Sequence, residues 1–198
     1  MQLQDIAQVK TGLVLNRKRA VAESEVAKTY KQINLRAVDP EGQVDLSKLE
    51  PYDSIEKLSQ DYITQRDDII VKLIEPFTAV YIDESLEGLL VPAHYCLIKN
   101  INKKKYLPKF ISFYLNTEAV SKQFYNSLQG VTVKNIKPTT LQELDVIGLP
   151  IAEQQQAVTL LELQQQKLTL LQKLKEKEQI KQKSLTDILL KNKGVNKQ

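Results

Sequence analysis

The sequence predicts an α+β protein, with a mixed, mostly antiparallel, curved sheet and helices over residues 1–150 and one long C-terminal helix of coiled-coil type after it. Three observations predict this. Short β-branched and apolar runs, separated by turns with Pro or Gly, recur between about residues 30 and 100. Two amphipathic stretches follow between Leu107 and Gly130. From Ala152 the chain then runs without Pro or Gly to Gly194, with leucines three, four and seven apart.

The opening "LQDIAQVKTG" reads as a helical turn, a short strand and a turn at Gly12. "NRKRAVAESEVAKTY" is polar and reads as a loop. A strand is expected over Ile33–Val38, then a turn at Asp39-Pro40-Glu41-Gly42 and a returning segment. "DDIIVKL" and "TAVYID" read as two strands joined across Glu75-Pro76, and "EGLLVPAHYCLIKN" as a further pair broken at Pro92. Pro108 suits the first turn of a helix whose inner face carries Phe110, Phe113, Tyr114 and Leu115. Asn116 or Thr117 can cap a second helix, which runs to Leu128 and stops before Gly130. "VTVKNI" reads as a strand, "TTLQEL" as a capped turn and "DVIGLP" as a last strand closed by Pro150. The expected organisation is a domain over 1–150, a helix over 151–193 and a disordered tail over 194–198.

In the C-terminal segment Val158, Leu161, Leu168, Leu171 and Leu174 mark one helical stripe, widened by Leu160, Leu163 and Leu170. The polar run "KEKEQIKQKS" interrupts it before "LTDILL". Leu171 to Leu185 and Leu174 to Ile188 are each two heptads apart, so one face continues through the gap. Glu178 and Lys181 at inner positions weaken a coiled coil there and fix its register. Such a helix is about 60 Å long, more than a globule of this size can cover. A second helix, from a partner or another copy, is therefore expected on Leu161, Leu168, Leu171, Leu174, Leu185 and Ile188.

Composition excludes several classes. Apolar content of 42% supports a packed core, while the single Cys96 and single His94 give neither a disulfide framework nor a zinc cluster. The lone cysteine fits a reducing, cytoplasmic setting. "MQLQDIAQVK" has no basic region leading into an apolar run, so no signal peptide is expected, and no apolar run is long enough to span a membrane. The net charge of +4 resides in residues 151–198, which hold nine lysines against five acids; residues 1–150 balance 19 against 19.

Catalysis is not expected. Phosphate- and dinucleotide-binding glycine motifs are missing, as are a methyltransferase's donor and Asn-Pro-Pro-aromatic motifs. Asp67, Asp68 and Lys72 in "RDDIIVKL" approach a nuclease pattern, but the position two before the lysine is Ile70 rather than an acid. His94 in "VPAHYCLI" reads as a strand residue. No cofactor and no metal is implied. Basic groups remain as candidates for phosphate and base contacts: Arg17, Lys18 and Arg19 in "NRKR", Lys103, Lys104 and Lys105 in "NKKKY", and Arg36, Lys72, Lys99 and Lys134 on or beside expected strands. The residues alone leave two readings, a DNA-binding protein and an adaptor that docks through its helix.

The stretch "GVTVKNIKPTTLQELDVIGLPIAEQQQAV" resembles the specificity subunits of type I restriction–modification systems, in which a strand leads into a Pro- and Glu-Gln-containing start of a long helix. The resemblance extends to "LQDIAQVKTG", "LRAVDPEGQVDLSKL", "ITQRDDIIVKLIEPFTAVYID" and "KKYLPKFISFYLNTEAVSKQF". Asp67 stands where that family usually has glycine, so the tight turn there is expected to differ. The resemblance implies a target recognition domain followed by a spacer helix. Double-stranded DNA, modification (methyltransferase) subunits and a restriction subunit are the implied partners. Family members normally carry two such units with antiparallel helices, each reading half of a bipartite site; this chain carries one. The implied partner is a second half-subunit, and two identical copies would pair antiparallel as a homodimer on a palindromic site.

Overall fold

The computed structural model describes residues 1–128 and 135–195, and side chains as far as Leu185. The chain divides into two units, Met1–Gln155 and Gln156–Gln198. Among the described residues the strands are β1 Gln8–Thr11, β2 Lys28–Gln32, β3 Glu50–Ser54, β4 Ile69–Lys72, β5 Ala79–Tyr81 and β6 Tyr95–Lys99. The helices are α1 Pro108–Leu115, α2 Glu118–Ser127, α3 Pro138–Gln142 and α4 Ile151–Val195. The α+β class read from the sequence is the one observed.

Strands β1, β6, β4 and β5 form one sheet in that order, every pair antiparallel. Val9 and Ile69 flank Ile98, and Ile70 sits between Leu97 and Val80. Each residue of β4 and β6 is buried, which is why both read as unbroken apolar runs rather than alternating ones. On one face Ile70, Val80, Tyr95 and Leu97 pack with Ile33, Val38, Ile82, Leu86, Leu89 and Val91. The second sheet is the ribbon β2–β3, with Tyr30 opposite Tyr52. Both tyrosines turn inward onto Leu13, Leu58, Ile63 and Leu90. Their hydroxyls stay satisfied: Tyr52 donates to the Leu15 carbonyl at 2.7 Å and Tyr30 accepts from the Leu58 N–H at 2.9 Å.

Local chemistry decides the boundaries. Of the two candidate caps of α2, Thr117 accepts from the Val120 N–H, whereas Asn116 reaches β5 and bonds both backbone groups of Ala79 at 2.8 Å. Gly12 is required where the chain passes β6, because a Cβ there would stand 2.2 Å from the Pro92 carbonyl oxygen. Asp67 keeps a tight turn in the left-handed conformation, φ 69°, which aspartate tolerates better than most side chains. The expected strand at Ile33–Val38 is instead a turn. Asn34 Oδ1 accepts from the N–H groups of Arg36 and Ala37, and pairing falls earlier, on Lys28–Gln32. Leu90 makes only isolated bridges, to Gln32 and Ile63, so the pair expected around Pro92 reduces to β6. "DVIGLP" likewise forms one bridge, between Asp145 and Gln2. Of the strand expected at "VTVKNI", 131–134 lie outside the described residues, and Asn135 bridges Ile74.

Helix α4 spans 45 residues, about 67 Å. Leu161, Leu168, Leu171, Leu174 and Leu185 are all exposed along it. Ile188 and the extreme tail, 196–198, lie outside the residues whose side chains are described.

Candidate nucleic-acid interface

The first basic cluster is built on the ribbon. The segment from Val14 to Ala20 runs beside β3: Ala20 donates to the Asp53 carbonyl at 2.9 Å, and Ile55 donates to that of Lys18 at 3.0 Å. Arg17 and Arg19 are exposed there, and the Arg19 guanidinium lies over the Tyr52 ring, 5.2 Å from its centroid. Lys18 is held by Glu56 at 2.6 Å. Lys28 on β2 lies over Tyr30, 4.9 Å from the centroid, and Lys31 is exposed beyond it. Lys28 and Lys31 are not among the candidates that the sequence marks. The signal for Lys31 is the alternation in "KTYKQ", where Tyr30 and Gln32 turn inward and leave Thr29 and Lys31 outside; Lys28 shares the face of Tyr30 and is exposed only because it begins the strand.

The second cluster is the loop Asn102–Leu107. Asn102 donates to the Ile6 carbonyl, and the amides of Lys105 and Tyr106 close back on the Asn102 carbonyl. Lys103 pairs with Asp67 at 2.6 Å, and the Tyr81 hydroxyl donates to the other Asp67 oxygen at 2.6 Å. Burial works to raise the Asp67 pKa, but these two hydrogen bonds together with the Lys103 and Arg66 charges outweigh it and hold the carboxyl below its usual range. Burial, with Asp67 beside it, pushes the Tyr81 hydroxyl up to about 12, so it stays a donor. Lys104 and Lys105 are exposed. Gln154, in the first turn of α4, grips the same loop from below its backbone. Its side chain is fully buried and bonds the Leu107 N–H and the Lys105 and Leu149 carbonyls, each at 2.8 Å.

The remaining candidates scatter. Arg36 is exposed on the Asn34 turn. Lys72 and Lys99 are buried in β4 and β6, and this corrects their assignment to a phosphate-facing surface. Lys99 is taken up by the Asp68 carboxylate and the Ile63 carbonyl. Burial raises the Asp68 pKa against the pull of Lys99. Lys134 lies outside the described residues.

Burial, and then the Lys72 charge, lower the His94 pKa and keep its ring neutral. Burial pushes the Cys96 thiol up to about 11. Among the described residues no group of three His, Cys, Asp or Glu side chains could hold a metal ion, and no helix is long and apolar enough to cross a membrane.

Residues 1–184 match the model of the type I restriction modification DNA specificity domain. The chain belongs to this family. Two solved structures resemble the specificity domain described here. One is reported as the structural basis of complex assembly and conformational transition of the type I R-M system, at 14% identity and a TM-score of 0.66. The other is the HsdS subunit from Thermoanaerobacter tengcongensis, at 13% identity and 0.65. Each comparison covers 88% of this chain and 43% of the other, so the specificity domain spans less than half the length of the chains it resembles. No curated protein matches it.

Proposed function

We propose that this chain supplies one specificity unit, a target recognition domain with its spacer helix. It reads one half of a bipartite site in double-stranded DNA, in the cytoplasm, and carries modification subunits to that site, with a restriction subunit added in a complete complex. The observation that carries this reading is the pairing of one specificity domain with one long helix whose leucines stand exposed. Exposed apolar stripes of this extent are sites of association. A second copy fits best, because two identical helices related by a twofold axis lie antiparallel and turn the two domains toward inverted half-sites. The chain performs no chemistry itself: it supplies base contacts, while methyl transfer belongs to the modification subunits. The candidate contacts are Arg17, Arg19, Lys28 and Lys31 on the ribbon side, with Lys103, Lys104 and Lys105 in the second loop; Arg36 and Lys134 remain further candidates.

A map of methylated bases in the source cell, with and without this gene, tests the reading. Loss of one motif made of two short half-sites around a fixed gap is the expected result, and a palindromic motif identifies a homodimer. Methylation that is unchanged when the gene is removed sinks the proposal. In vitro, replacing Lys103, Lys104 and Lys105 by Ala is expected to weaken duplex binding and to flatten its dependence on log salt by up to about three units, near 0.9 for each phosphate no longer neutralised. An unchanged slope removes these lysines from the interface.

A further inference from the structure

Gln154 commits every hydrogen-bonding group of its amide to three backbone sites. Two of them, the Lys105 carbonyl and the Leu107 N–H, belong to the loop that carries three consecutive lysines; the third, the Leu149 carbonyl, belongs to the lead-in to α4. No other residue type fits this arrangement as well. Asparagine is a methylene short, glutamate has no donor when ionised, and methionine offers neither donor nor a strong acceptor. On its far side the loop is fastened through Lys103 to Asp67 and through the Asn102 N–H to Ile6. The backbone under Lys104 and Lys105 is thus fixed while their ammonium groups remain in solvent.

A loop ordered before binding spares the entropy of ordering it on the ligand. We infer that Gln154 is a positioning residue for DNA: it fastens the Lys103–Lys105 loop to the first turn of α4, so that the lysines meet phosphates from a backbone already in place. This rests on the DNA reading proposed above and assigns it a residue that touches no DNA itself.

The test uses the full-length chain, a fluorescent random-sequence 30-base-pair duplex pool as probe, and a NaCl titration well below the melting temperature. Gln154→Met is expected to bind roughly tenfold more weakly, with a salt slope close to that of the Lys103, Lys104, Lys105 triple-Ala variant. Combining Gln154→Met with the triple change should weaken binding no further than the triple change alone. Wild-type affinity and slope in Gln154→Met, or losses that simply add, overturn the inference and leave the DNA reading standing. A triple-Ala variant with wild-type binding overturns the inference and takes this loop out of the interface, leaving the DNA reading to the other basic groups; a wild-type chain that retains no duplex overturns both. Hydrogen exchange on the unmutated chain gives an answer independent of how the variant folds. The Leu107 amide should be as protected without duplex as with it, and protection that arises only on adding duplex overturns the inference.

Discussion

Replacing Leu171 and Leu174 together by Asp is expected to leave a chain that runs as a 22.6 kDa monomer in light scattering, whereas the unmodified chain is expected, on the pairing proposed above, to run at twice that mass. Both leucines are more than half exposed, at 51% and 57%, in a stripe that also holds Leu161, Leu168 and Leu185. Covering a leucine is worth about 1.5–3 kcal/mol, and a twofold pair would cover four from these two positions. Removing them, and placing carboxylates in the seam, should weaken association by more than about a thousandfold. Because the stripe belongs to the second unit, Gln156–Gln198, the circular dichroism of the sheet should persist. A variant that keeps the oligomeric mass of the unmodified chain would show that these leucines do not form the seam.

Asp68→Ala is expected to be the most damaging single change in the domain. It strands the Lys99 ammonium in a site where both side chains are more than nine-tenths buried. Removing one partner of such a pair costs about 3–5 kcal/mol, because the remaining charge loses its compensation without regaining water. For a domain of this size that lowers the melting temperature by roughly 10 °C. Replacing both partners, Asp68→Leu with Lys99→Met, should recover much of the loss, since β4 and β6 around them are buried and mainly apolar. A fall of under about 1 kcal/mol in Asp68→Ala would mean that Lys99 can swing out to solvent.

The same pair shows where a sequence stops being informative. Strands β4 and β6, helices α1 and α2 and the long helix were legible because apolar spacing reports burial directly. Sidedness was not. Lys72 and Lys99 end strands buried on both faces, so no alternation tells an inward lysine from an outward one. Asn34 reads as a polar residue within an apolar run until its side-chain Oδ1 is seen accepting from two backbone amides. Gln154 lies in a run of three glutamines, and its partners are backbone groups 47 and 49 residues away that no pattern marks. Asp67 was visible as a departure from glycine; it takes the left-handed turn anyway, and the tyrosine and lysine that hold its carboxylate come from segments no local pattern connects to it.

Cys96 is fully buried at the centre of the sheet, and its thiol holds its proton far above neutral pH. Thiolate-selective reagents react with the ionised, accessible form, so the folded chain presents them with no target. The rate at which a maleimide modifies the native protein therefore times the opening of β6, the strand on which the sheet is built. It also follows that a single cysteine introduced on the described part of α4 can carry a spectroscopic label alone, with the native thiol left in place.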